Sequence, residues 1–141
     1  MTDPLHPAQM AKTHRLAFSL SRPWSEQEFA ELLQSPLVFA CGTERCFALV
    51  RVIAEEAELL TLATRPDSQR RGLAKQVMAI WQQSACKKGA LEAFLEVAAD
   101  NQAALSLYTS CGYKEAGRRS GYYPRPTGSA VDAIVMRRAL P

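Results

Sequence analysis

The stretch Thr64–Trp81, TRPDSQRRGLAKQVMAIW, sets two arginines and a glycine between a proline turn and a run with helical spacing. From Leu73 onward, Leu73, Val77, Ile80, Trp81 and Ala85 recur at intervals of three and four, so one helix face is apolar as far as Lys88. Lys87 and Gly89 then supply the positive charge and the stop expected at a helix C-terminus. Upstream, Ala57–Thr64 (AELLTLAT) reads as a strand that Pro66 and Asp67 end. Gly72 lets the chain turn sharply, and a helix starting near Leu73 adds unpaired N–H groups and about half a positive charge at its N-terminus. A strand, a basic loop and a helix N-terminus in that order make an anion site. It is not a P-loop, because no G-K-[ST] follows, and it is not a dinucleotide fingerprint, because G-x-G-x-x-G is absent.

The flanking sequence supplies the other elements. Residues 7–18 have the spacing of a short helix, with Met10, His14, Ala17 and Phe18 on one side. In RPWSEQEF, Ser25 and Glu28 form a capping box, while Trp24 and Phe29 occupy the two positions of a hydrophobic staple. A second helix is therefore expected from Ser25 to about Gln34. LVFAC, a GTE turn and RCFALVRV read as a β-hairpin leading into the strand at Ala57. After the central helix, ALEAFLEV alternates, with Leu91, Ala93, Leu95 and Val97 on one face and Glu92, Phe94 and Glu96 on the other. Asp100 or Asn101 caps a helix ending at Ser110, and Gly112 offers its left-handed terminus. Strands at Tyr113–Arg119 and Ala130–Arg138 flank a Gly/Pro loop. The order α-α-β-β-β-α-β-α-β-β predicts a mixed α/β domain.

Composition excludes several classes. A chain of 141 residues suits one domain spanning 1–141, and its 48% hydrophobic and 22% charged residues suit a packed core rather than disorder. A net charge of +3 is too small to argue nucleic-acid binding. Arg118, Arg119, Arg125, Arg137 and Arg138 read as a solvated basic face. Cys41, Cys46, Cys86 and Cys111 show no metal spacing and read as reduced, mostly buried thiols. His6 and His14 have no partner spacing for a metal or a triad, so both are expected at the surface, and no metal is expected. Neither a signal-peptide core nor an apolar run of about 18 residues occurs, which predicts a soluble cytoplasmic protein without a membrane partner.

Gln69, Gly72 and Ala74 match Q/R-x-x-G-x-G/A, and in this setting the chain resembles the GNAT acetyltransferases, most closely the RimI-type ribosomal-protein-alanine N-acetyltransferases. The resemblance runs from Asp3 to Leu140 on PWSEQEF, PDSQRRGLA, LEVAADNQAALSLYTSCGY, GYYP and DAIVM. It implies an α/β (α+β) GNAT fold: a mixed, mostly antiparallel central sheet flanked by helices. The family's first strand has almost no room before Pro4, so it is expected to be short or missing, leaving one sheet edge less covered.

The resemblance also implies roles. Acetyl-CoA is the co-substrate. Leu62, Ala63 and Thr64 form the splayed strand end beside its pantetheine arm. Arg70, Arg71, Gly72, Leu73, Ala74 and Lys75 form the pyrophosphate loop, and Asn101 is a further coenzyme contact. Glu96 is the general base and Tyr108 the general acid, types suited to removing a proton from an ammonium and returning one to a thiolate. Trp24, Tyr122 and Tyr123 wall the acceptor cleft, the tyrosines from a loop covering the peptide. The implied acceptor is a protein N-terminus, that of a small-subunit ribosomal protein beginning with alanine, with no direct nucleic-acid contact. Read without the family, Glu96 is an exposed strand residue, Tyr108 a core tyrosine, Asn101 a helix cap, Trp24 a staple and the tyrosines turn aromatics. The chain departs from the family at Ala98, where relatives carry arginine, at Asp100, where serine is common, and at Thr64–Arg65, which replace Val-Asp. Those departures bear on acceptor preference. Acetylation of a lysine or a small amine, and acyl-CoA binding without transfer, are the rival readings.

Overall fold

The computed structural model describes residues 5–18 and 22–141. Helix α1 (Pro7–Ala17) and helix α2 (Glu26–Leu33) come first, then strands β1 (Val38–Gly42), β2 (Cys46–Ile53) and β3 (Glu56–Thr64). A single 3-10 turn at Pro66–Ser68 leads to α3 (Leu73–Lys87), followed by β4 (Glu92–Ala98), α4 (Gln102–Ser110), β5 (Lys114–Tyr123) and β6 (Val131–Ala139). The strands form one sheet in the order β1-β2-β3-β4-β6-β5. Only β3 and β4 run parallel, and α3 is the crossover that a parallel pair requires. The expected mixed, mostly antiparallel sheet is thus present. The expected loss of a first strand concerns residues 1–4, outside the described residues; β1 and β5 are the edges of the described sheet.

Local chemistry explains the helix starts. At α2 the Glu28 amide donates to Ser25 Oγ at 3.2 Å and the Ser25 amide to Glu28 Oε1 at 3.1 Å, the expected reciprocal cap. The staple closes as well, with the rings of Trp24 and Phe29 5.5 Å apart. Asn101, rather than Asp100, caps α4 by accepting the Ala104 amide at 3.2 Å. Gly72 caps α3 in the left-handed conformation, φ 77°.

Both faces of the sheet are covered at β2, which is why Cys46–Val50, ahead of Arg51, is an unbroken apolar run buried throughout. Its Cys46, Ala48, Val50 and Val52 join the core against α3, while Phe47 and Leu49 join the core against α1 and α2. On α3 the buried stripe is Val77, Met78, Trp81 and Ala85. Ile80, expected on that face, is 51% exposed. At 3.6 residues per turn Trp81 lies between Val77 and Met78 around the axis, and Ile80 falls beyond Val77 toward solvent. Leu91 is likewise exposed. It precedes β4, so the strand's alternation does not reach it, and its amide donates to the Glu55 carbonyl at 2.7 Å.

One boundary moves. β5 was expected to stop at Arg119, but it continues through Gly121, Tyr122 and Tyr123, so those residues end a strand instead of opening a loop. The pairing with β6 is irregular between Arg119 and Tyr123. There the Gly121 amide donates to Asp132 Oδ1 at 3.0 Å, in place of a regular ladder bond. The cysteines carry free thiols; Cys46 is buried and the other three are partly buried.

Candidate active site

The site begins where β3 and β4 part. Their parallel pairing covers only Glu56, Ala57 and Glu58 against Glu92, Ala93 and Phe94. Beyond it β4 is paired on one side only, to β6, and β3 on one side only, to β2. A bulge in β3 accompanies the divergence: Leu49 pairs with Thr61 and Val50 with Leu59, leaving Leu60 as the extra residue. A bulge bends its strand and shifts the alternation of side chains by one. Leu59 therefore faces the α3 core and Leu60 the α1–α2 core, and Leu62 returns to the α3 side while Ala63 packs toward α1. Thr61 meets α1, its Oγ1 lying 3.1 Å from His14 Nε2.

A cleft of about 600 Å³ opens at this divergence, and it gathers several of the expected residues: Trp24, Leu62, Glu96, Asn101, Tyr108 and Tyr123. Alternation along β4 sends Leu95 and Val97 into the α3 core, so Glu96 faces the other way, toward α1 and α2. Its side chain is 28% exposed and its Oε1 lies 3.2 Å from Arg119 Nη2. Tyr108 comes from the opposite side. It belongs to the α3 core, 7% exposed, with its ring edge-on to Tyr113 at 6.2 Å. Burial pushes its phenol well above the ordinary tyrosine range, so it stays protonated. Asn101 lines the cleft while also serving as the α4 cap.

Other expected residues stand outside the cleft wall. Ala63 is buried beneath α1, and the Thr64 hydroxyl lies 3.2 Å from Cys46 Sγ. Arg70, Arg71, Gly72, Leu73, Ala74 and Lys75 form the loop and first turn of α3 beyond the end of β3. Arg70 (φ 64°) and Gly72 both take positive φ, a backbone form in which successive amides can point to one concave side. The first amides of α3 have no intrahelical acceptor. Arg70, Arg71 and Lys75 are exposed, and none is ion-paired to a described carboxylate. Tyr122 is not a cleft residue either: half exposed, it sits edge-on to Tyr123 at 5.1 Å and beneath the Arg119 guanidinium at 5.2 Å.

Two features were misread from the sequence. His14 is not at the surface but 3% exposed, stacked on Phe18 at 4.3 Å and Trp24 at 5.2 Å. Its Nδ1 accepts the Trp24 amide at 3.0 Å. Burial holds its pKa down at about 4, so it is neutral at pH 7. Its place on the apolar side of α1, with Met10 and Phe18, was the signal that could have revealed it. Arg125, read as part of a solvated basic face, has a side chain only 7% exposed. It makes a bidentate pair with Asp100, both bonds 2.8 Å, that ties the segment after β5 to the start of α4 at the cleft. That pairing holds the Asp100 carboxyl below the ordinary range. Spacing along the chain carried no trace of it. The surface reading does suit Arg118, Arg119 and Arg137, whose side chains are 50%, 57% and 43% exposed, but not Arg138, which is partly buried over the Tyr113 ring and donates to the Cys111 carbonyl at 2.6 Å.

Residues 11–113 match the family described as Acetyltransferase (GNAT) family. Over 123 residues the chain is 39% identical to the [Ribosomal protein bS18]-alanine N-acetyltransferase of Escherichia coli strain K12, covering 84% of this chain and 81% of that protein. The crystal structure of the Escherichia coli ribosomal-protein-S18-alanine N-acetyltransferase aligns with TM-score 0.85 and 33% identity, over 95% of this chain and 87% of that one. Arabidopsis thaliana NAA60 in complex with acetyl-CoA shares the fold, with TM-score 0.81 at 16% identity over 98% of this chain and 97% of that one.

Proposed function

This chain belongs to the acetyltransferase (GNAT) family, and on that premise we propose that it is a single acetyltransferase domain moving the acetyl group of acetyl-CoA to the N-terminal α-amine of a ribosomal protein that begins with alanine. The acceptor class rests on the relatives' named activity toward the alanine of ribosomal protein bS18. Such an acceptor argues for work in the cytoplasm. No described helix is long and apolar enough to cross a membrane.

The observation that carries the reading is the parting of β3 and β4 with Glu96 and Tyr108 reaching the cleft from opposite faces. Glu96, directly or through water, takes a proton from the acceptor ammonium. The freed nitrogen attacks the thioester carbonyl, the C–N bond forms as the C–S bond breaks, the nitrogen gives its second proton to water, and Tyr108 protonates the departing thiolate and is itself reprotonated from solvent. Main-chain groups at Leu62 and Ala63, which no strand pairs on the β4 side, are available to the pantetheine arm and the polarised carbonyl. The amides from Arg70 to Lys75, with three exposed cations, suit the pyrophosphate. Trp24 and Tyr123 narrow the acceptor's path, and Tyr122 stands behind Tyr123.

Proton availability favours an α-amine. With pKa values of about 7.7–8.0 for an α-amine and about 10.4 for lysine, the free-base fractions near pH 7.4 are roughly one third and one thousandth. Peptides carrying both an N-terminal alanine and an internal lysine, incubated with acetyl-CoA and read by mass spectrometry, should gain the acetyl group at the α-amine. Modification mainly on lysine, or equal rates for N-terminal alanine and tryptophan, would overturn this reading and leave the family standing.

A further inference from the structure

One hydroxyl in the cleft has a direction set by its neighbours. The Trp24 main-chain N–H is a donor only, so the His14 Nδ1 that it meets at 3.0 Å must be the acceptor. The proton of the neutral ring therefore sits on Nε2, which donates to Thr61 Oγ1 at 3.1 Å. Thr61, having accepted, keeps its own O–H hydrogen to give, and no acceptor for it exists among the described residues. It is 8% exposed and lines the cleft. The bulge at Leu60 is what turns it to the α1–α2 side, which Glu96 also faces, while Leu62 packs on the α3 side.

We infer that Thr61 donates a hydrogen bond to a carbonyl oxygen of the acceptor, that of the first residue, and that His14 is the positioning residue that aims it. The inference rests on the reading of this protein as an α-amine acetyltransferase. A peptide that brings its α-nitrogen to Glu96 carries a carbonyl two bonds from that nitrogen, whereas a lysine ε-nitrogen is followed by four methylenes and no acceptor. A donor at Thr61 thus discriminates between the two amines by chemistry that every peptide N-terminus shares. The thioester and pantetheine carbonyls are the other carbonyls at hand. They belong with the α3 side, from which the loop Arg70–Lys75 and Leu62 approach, so the acceptor carbonyl is favoured.

The test compares an alanine-initiated peptide with its analogue in which an (E)-alkene replaces the first peptide bond, on the wild type and on Thr61→Val, Thr61→Ser and His14→Phe. With each rate divided by its acceptor's own free-base fraction, because the alkene raises the basicity of the α-amine, the expected result is a roughly tenfold lower kcat/KM for the analogue on the wild type, carried mostly by KM, on the scale of one hydrogen bond. Thr61→Val should lose a similar factor on the normal peptide and no longer tell the two acceptors apart; Thr61→Ser should restore most of the difference, and His14→Phe should shrink it. Affinity for acetyl-CoA, measured by calorimetry, should move by less than about twofold in Thr61→Val. A loss of acetyl-CoA affinity would place the bond on the coenzyme carbonyl and overturn the inference. So would a wild type that treats both acceptors alike, a comparison that holds even if a variant fails to fold, or a Thr61→Val that still discriminates. A wild type that modifies no α-amine overturns the functional reading and this inference together.

Discussion

Tyr108 and Glu96 differ most in their surroundings, and that difference shapes what each can do. Tyr108, buried in the α3 core, stays a phenol across the useful pH range. A free thiol has a pKa of about 8.5, so its thiolate leaves with little help, and Tyr108→Phe should lower turnover by roughly 10²-fold or somewhat less, at the low end of acid catalysis. Glu96→Gln should also slow turnover while leaving acetyl-CoA binding nearly intact. Single-turnover rates check both; wild-type rates in both variants would remove the two residues from the proton path. His14 carries a separate prediction. Its pKa falls from 6.5 unfolded to about 4 folded, through burial, with Glu28 opposing and Arg22 adding to the shift. Between those values the unfolded chain binds more protons, so stability rises with pH. This contribution is complete above about pH 6.5 and is lost as the pH falls toward 4, a difference of about 3 kcal/mol. Urea unfolding of the wild type and His14→Phe at pH 7 and pH 4 should show that loss in the wild type only.

At the scale of elements, the loop into α3 decides coenzyme binding. Gly72 holds φ 77°, and a Cβ built there would meet no atom within 4 Å. A substitution therefore acts on the backbone and on whatever approaches it, not on packing. Gly72→Val should strain the left-handed turn by about 1–2 kcal/mol and crowd an anion seated on the amides, so coenzyme A affinity should fall at least roughly tenfold in calorimetry. Unchanged affinity in a folded variant would show that these amides do not hold the phosphates. The helix starts at α2 and α4 were legible because their signals are local. Ser25 meets Glu28 within one turn, Asn101 meets Ala104 likewise, and Trp24 packs on Phe29 five positions away. The β5 boundary was illegible because Gly121 reads as a turn, whereas its amide is satisfied by Asp132 on the neighbouring strand.

For the molecule as a whole, what the sequence by itself determined was the succession of elements, the basic loop before α3 and the family. Each depends on residues within a few positions of one another, where helix and strand periodicity and capping act directly. Tertiary structure decided which of the candidate residues meet. It brought Glu96 to Arg119 and into one cleft with Trp24 and Tyr108, and left Tyr122 outside. It buried Arg125 on Asp100, 25 residues away, and His14 on Thr61, 47 residues away. No local pattern encodes such pairs, because a polar side chain is driven inside only when a partner already waits there, and the partner's position follows from the sheet order and from one bulge. A histidine without a neighbour in sequence reads as solvated; the same histidine between an amide and a hydroxyl is a satisfied, neutral part of the core.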